Sequence, residues 1–180
     1  YVGQENKTPF FAMELVPGAT LADRLHEGPL PFSEVIEVGI QVVDALRHAA
    51  DLDIIHGDVK PSNILVVDGT TVKLSDFGLA RRLSQIEKDS IFVAGTPNYL
   101  SPEGAEGKVS DLRSDIYSLG MTLFELTFGR LPYSLSGSDI GDYARIHRTA
   151  PVQFPEPWPE AIPEGWRDVL ARLLAKSPHD

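Results

Sequence analysis

Apolar residues recur along this chain at several distinct periods. From Phe32 to Ala50 they stand at Val35, Val38, Val42, Ala45, Leu46 and Ala49. That spacing predicts an amphipathic helix, with Glu34 and Glu37 near its positive N-terminal end. Asp115–Thr127 is apolar on almost every face (Ile116, Leu119, Met121, Leu123, Phe124, Leu126), as a buried helix must be, and Gly129 suits its C-terminal cap. Asp139–Arg148 and Trp166–Ala175 predict two more helices, joined by the irregular segment Pro151–Pro163 with its five prolines. Shorter runs behave differently. Phe10–Leu15 reads as a strand ended by Pro17-Gly18, and Thr20 as the N-cap of a short helix to Leu25. Ile64–Val67 and Thr71–Leu74 flank Asp68-Gly69, the signature of a hairpin. Arg81–Asn98 has little periodicity, and a long loop of that kind is often functional. The pattern predicts one mainly helical domain with a small β component.

Composition narrows this modestly. A chain of 180 residues, 42% hydrophobic and 23% charged, is long enough to bury one sizeable core. Zero cysteines exclude disulfides and thiolate zinc sites. A net charge of −10 argues against nucleic acid as a partner, since phosphate backbones repel such a surface. No apolar run approaches the ~20 residues that cross a bilayer, so no membrane segment is expected within this chain and a cytoplasmic setting is. A membrane anchor elsewhere in a longer parent stays compatible with that reading.

The chemistry is concentrated in two motifs. Residues 56–63 read His-Gly-Asp-Val-Lys-Pro-Ser-Asn, and Asp76-Phe77-Gly78 begins thirteen residues after Asn63. Asp58 can accept a proton from a hydroxyl, and Lys60 can neutralise charge on a moving phosphoryl group. Asn63 and Asp76 supply oxygen ligands suited to magnesium, and the hairpin between them brings both to one edge. His26, His48, His147 and His179 show no paired metal-ligand spacing and are expected at the surface. Trp158 and Trp166 are expected as packing anchors. An acid at the head of a buried helix needs partners, so Asp115 is expected to accept hydrogen bonds from the backbone of the 56–63 loop.

Five segments in order resemble the C-terminal lobe of a eukaryotic-like, bacterial-type Ser/Thr protein kinase: His56–Asn63, Asp76–Gly78, Gly95–Glu103, Ser114–Gly120 and Thr127–Pro132. The resemblance implies a mainly α, kinase-like α+β fold in which a short hairpin carries the catalytic loop. Residues 1–15 would be the remnant of a small lobe and hinge strand, and 16–180 the large lobe, truncated before its last helix. It further implies ATP and Mg²⁺, a protein substrate with Ser or Thr, and transfer of the γ-phosphoryl group. Asp58 and Lys60 would be catalytic, with Asn63 and Asp76 holding metal. Met13, Glu14, Val16 and Leu65 would line the adenine pocket. Phe77, Gly78, Thr96 and Glu103 would belong to the activation segment, Thr96 bridging Asp58 and Lys60. His56 and Asp115 would be structural supports.

Departures from the family pattern matter too. Gly57 stands where the family usually has arginine, and Ser101 where alanine is usual. Glycine cannot bind a phosphorylated loop residue, so phosphorylation at Ser84, Ser90 or Thr96 is not expected to be the main on-switch. No Gly-x-Gly-x-x-Gly occurs, and the family's small-lobe lysine and glutamate are missing. The arginine that would pair with Glu103 is missing as well. The chain alone is therefore expected to be inactive, with activity residing in a full-length parent. Two other readings stay open: a small-molecule phosphotransferase of the aminoglycoside or choline kinase type, since His-Gly-Asp occurs there too, and a pseudokinase or docking scaffold.

Overall fold

The computed structural model describes residues 2–5, 8–12, 14–77, 81–82, 96–108, 111–134 and 140–179. Expectations placed on Met13, Gly78, Ser84 and Ser90 lie outside them.

Two short strands open the chain, β1 (Val2–Glu5) and β2 (Thr8–Phe11), paired antiparallel from Val2↔Phe11 to Glu5↔Thr8. The strand expected over Phe10–Leu15 thus begins earlier and stops at Phe11. The outermost described pair is Val2↔Phe11, and Leu15 is 89% exposed. After β3 (Ala19–Thr20) comes α1 (Leu21–Leu25), started by Thr20 as expected. Thr20 Oγ1 accepts from Asp23 N–H while Asp23 Oδ2 accepts from Thr20 N–H, a reciprocal capping box. Arg24 of α1 forms a two-pronged ion pair with Glu34, which ties it to the next helix.

That helix, α2 (Phe32–Asp51), buries Val35, Val38, Val42, Leu46 and Ala49, the stripe read from the sequence. A short strand β4 (Ile54–Ile55) leads into the 56–63 loop. The expected hairpin follows as β5 (Ile64–Val66) and β6 (Val72–Leu74), with β5 central in a β3-β5-β6 sheet. β4 is covered by β7 (Arg81–Arg82), inside the segment expected as irregular. A short α3 (Pro102–Ala105) is capped by Ser101, whose Oγ accepts from Gly104 N–H at 3.1 Å. The serine that replaces the family's alanine has this capping job.

The centre of the molecule is α4 (Leu112–Phe128), begun by the Asp111 side chain and ended by Gly129 in the left-handed region. Leu119, Met121, Leu123, Phe124 and Leu126 are all buried. α2 packs on one side of it, and α6 (Gly165–Leu173) on another, where Gly120 allows the closest approach. α5 (Ile140–Thr149) lies against α3. Both tryptophans are packing anchors as expected: Trp166 Nε1–H donates to Thr127 Oγ1 and Trp158 Nε1–H to the Ile162 carbonyl. Among the described residues no helix is long and apolar enough to cross a membrane.

One histidine expectation is overturned. His26, His48 and His179 are exposed, but His147 is fully buried. It sits on the inner face of α5, where a tyrosine hydroxyl and a backbone carbonyl satisfy both ring nitrogens.

Candidate active site

The site is hung from one face of α4. Asp115, Ser118, Thr122 and Glu125 are spaced three, four and three residues apart, which aligns them along one side of a helix. Asp115 Oδ2 accepts from His56 N–H and its Oδ1 from Gly57 N–H, each at 2.8 Å. Burial pushes the Asp115 carboxyl above the usual carboxylate range, against the pull of those two amides. Gly57 holds φ +80°, a conformation that a side chain disfavours and glycine adopts freely. Farther along the helix, Ser118 Oγ is 2.8 Å from the Tyr99 carbonyl and Thr122 Oγ1 is 3.4 Å from that of Val59. The Tyr99 hydroxyl donates to Glu125.

His56 is fully buried behind the loop. Its Nδ1 accepts from Asp58 N–H at 3.2 Å, which leaves Nε2–H to donate to the Ser75 carbonyl at 3.0 Å. This imidazole therefore links the loop to the open end of the hairpin. The Phe77 ring packs edge-on against it, with centroids 4.5 Å apart.

Asp58, only 8% exposed, is the hub. Its Oδ2 accepts from Lys60 Nζ at 2.6 Å and from Asn63 Nδ2 at 3.1 Å, and its Oδ1 from Thr96 N–H at 2.9 Å. Lys60 Nζ also donates to Thr96 Oγ1, so Thr96 meets Lys60 through its hydroxyl and Asp58 through its backbone amide, not through the hydroxyl alone. Burial opposes ionisation of Asp58, but the hydrogen bonds from Lys60 and Thr96 outweigh it and hold the carboxyl below its ordinary range. The result is an ionised acceptor beside an ammonium group.

Asn63 closes a 3₁₀ turn at Pro61–Asn63. Its amide nitrogen donates to the Asp58 carbonyl at 2.8 Å as well as to the carboxylate. The hairpin brings Asp76 back beside it. Ile64 pairs with Leu74, and Ser75 N–H donates to the Asn63 carbonyl at 2.8 Å. At the other end, Asp68 accepts from Thr71 N–H, while Gln41 of α2 grips both Thr70 O and Val72 N–H at 2.9 Å. Asp76 itself has φ +62°, in the left-handed region, and is exposed. One amide oxygen and one carboxylate at the open end of a single hairpin form a donor set that fits magnesium.

The remaining expected residues are less concentrated. Leu65 is half-buried on β5, paired with Thr20 and Lys73; Val16 is half-buried; Glu14 is exposed and ion-pairs with Lys73. Glu103 lies in α3 and accepts from Ser114 Oγ at 2.6 Å. Sequence reasoning missed Ser118, Thr122, the Tyr99–Glu125 pair and the role of α5. It also missed a cleft of about 490 Å³ beside the hub, lined by Leu25, Lys60, Ser62, Thr96, Tyr99 and Glu125. Polar residues at helical spacing within an otherwise apolar helix were the available signal. Burial pushes the Glu125 carboxyl up, partly offset by the Tyr99 hydroxyl.

Comparison with known proteins bears directly on this arrangement. The family described as protein kinase domain matches residues 1–180. Serine/threonine-protein kinase PrkC of Bacillus subtilis is 35% identical over 179 residues, covering 98% of this chain and 27% of that protein. Serine/threonine-protein kinase PknB of Mycobacterium leprae is 38% identical over 175 residues (96% and 28%), and PknL of Mycobacterium tuberculosis 36% over 180 (99% and 45%). The chain thus spans less than half the length of these relatives. With the two motifs folded together and the family model matching from end to end, the chain belongs to the protein kinase domain family, alongside bacterial Ser/Thr kinases.

Proposed function

We propose that the full-length protein transfers the γ-phosphoryl group of ATP, with Mg²⁺, to serine or threonine hydroxyls of proteins. The observation that carries this is Asp58: ionised and held by Lys60, Asn63 and Thr96, of which Lys60 and Thr96 line a cleft. In this reading Asp58 orients the incoming hydroxyl and accepts its proton. Lys60 balances charge on the phosphoryl group as it passes. Positioning and electrostatics of this kind supply most of the catalysis in phosphoryl transfer. Asn63 and Asp76 would hold magnesium, which supplies charge neutralisation to the nucleotide phosphates when bound. Met13, Glu14, Val16 and Leu65 would face adenine, and Phe77, Gly78, Thr96 and Glu103 would shape the segment that receives protein. His56 and Asp115 act by holding the loop. Residues 1–15 would be the end of a small lobe and the hinge, with 16–180 belonging to the large lobe. Because no glycine-rich phosphate loop occurs in these 180 residues, these residues alone are not expected to turn over.

The test is to incubate the full-length protein with γ-labelled ATP and Mg²⁺, with a protein mixture in one arm and small alcohols such as choline or an aminoglycoside in the other. Label on serine and threonine of proteins is expected. Label on the small alcohols alone would overturn the reading in favour of a small-molecule phosphotransferase, and label nowhere would favour a scaffold. Prior phosphatase treatment should leave most of the activity, since Gly57 offers no cation to a phosphorylated loop.

A further inference from the structure

A second buried polar cluster lies outside the residues assigned so far. His147 of α5 is fully buried, and Tyr117 of α4 and Tyr133 are 3% and 4% exposed. The imidazole is packed edge-on against both tyrosine rings, with centroids 5.8 and 5.7 Å away. Its Nδ1 is 3.0 Å from the Tyr117 hydroxyl and its Nε2 is 3.0 Å from the Pro97 carbonyl. A carbonyl only accepts, so Nε2 carries the hydrogen, whereas the Tyr117 hydroxyl can serve Nδ1 as donor or acceptor. The neutral ring makes both bonds when the Tyr117 hydroxyl donates to Nδ1.

The surroundings keep it neutral. Lys176, just beyond α6, donates from Nζ to the Tyr133 hydroxyl at 2.6 Å and to the carbonyl of His147 itself at 2.8 Å. A second positive charge on the ring would face that ammonium. Burial, helped by Lys176 and opposed by the Pro97 bond, brings His147 down to about 4.

Pro97 opens the 3₁₀ turn Pro97–Tyr99, directly after Thr96. The turn is gripped at three points. Thr96 is held by Asp58 and Lys60, and Tyr99 by Ser118 and Glu125 of α4. Pro97 is held by His147, the contribution of α5. Thr96 and Tyr99 line the cleft together with Lys60, whereas Asn63 and Asp76, at the two ends of the β5–β6 hairpin chain, are not among its lining residues.

We propose that His147 is a positioning residue for the protein substrate: by donating from Nε2 to the Pro97 carbonyl it fixes the Thr96–Tyr99 turn, and with it the Thr96 amide on Asp58 and the wall of the cleft. This rests on the kinase reading of the same site. Loss of the clamp should weaken the protein substrate and spare ATP. An effect of about fivefold matches the loss of one net hydrogen bond of roughly 1 kcal/mol.

The experiment compares the full-length wild type with His147→Leu, which keeps the bulk, and His147→Gln, whose amide N–H can reach the Pro97 carbonyl. KM for protein and for ATP is measured for each, together with hydrogen exchange at the Thr96 amide. His147→Leu should raise the protein KM about fivefold, leave the ATP KM within about twofold and speed Thr96 exchange; His147→Gln should recover most of both. Unchanged protein KM and exchange in His147→Leu would overturn the proposal, as would equal damage from both variants to both KM values, the mark of lost packing alone. Should the wild type transfer nothing to proteins, the kinase reading fails first, and the exchange comparison still decides the clamp. Faster Thr96 exchange in His147→Leu then supports it, and identical exchange overturns it.

Discussion

Both oxygens of Asp58 are engaged by chain donors, Oδ1 by an amide and Oδ2 by an ammonium and a side-chain amide. Such a group is fixed in direction and stays charged. Asp115 does comparable work one layer deeper, and its loss is separable. Asp115→Ala would leave the buried amide of His56 and the part-buried amide of Gly57 without acceptors. At about 1–3 kcal/mol for each unpaired group, the variant should lose roughly 2–6 kcal/mol of stability in a denaturant titration. Asp115→Asn keeps one acceptor and should lose less. Equal stability of Asp115→Ala and wild type would show that the loop does not depend on this carboxylate. Gly57 carries two meanings at once. The sequence displayed the missing arginine, but the φ of +80° became visible only in the folded chain.

At the scale of elements, α4 is both core and scaffold. Its apolar residues were legible as a buried helix because nearly every position repels water. Its polar face was not, because Ser118 and Thr122 lie against carbonyls 19 and 63 residues away, partners with no local signature. The same holds for His147, which meets Tyr117 and Pro97 across 30 and 50 residues. Local features fared better: the Thr20 cap, the α2 stripe, the Asp68-Gly69 hairpin and the Gly129 stop all depend on neighbours a few residues apart. Packing of α4 on α6 gives a further test. A Cβ at Gly120 would come within 2.8 Å of Leu173 Cβ, with the Leu173 backbone at 3.3 Å. Gly120→Ala should therefore destabilise by about 1–3 kcal/mol through overpacking, despite alanine's better helix propensity. A rise in thermal midpoint would mean that the two helices can part at little expense.

For the whole molecule, the buried His147 links stability to acidity. Its pKa in the fold is about 4, whereas an unperturbed histidine titrates near 6.5. As pH falls below about 6.5 the unfolded chain takes up this proton and the folded one does not. Stability from this group is thus fully present above that pH and is lost progressively toward pH 4. Between pH 7.5 and 5 the loss should be about 2 kcal/mol, on the scale of 1.36 kcal/mol per pH unit below 6.5. Denaturation of wild type and His147→Leu at the two pH values measures it. The wild type should lose about that much more than the variant, and parallel behaviour would place the acid sensitivity elsewhere.

The most direct test of the phosphoryl-transfer site is single-turnover transfer from γ-labelled ATP by the full-length protein carrying Asp58→Asn, with thermal unfolding followed on the same sample. Asparagine preserves the shape but loses the charge that faces Lys60 and the capacity to take a proton. Transfer to protein should fall by on the order of 10²–10⁴ while the fold persists. Transfer at the wild-type rate by a folded Asp58→Asn protein would contradict the assignment of this cluster as the site of chemistry.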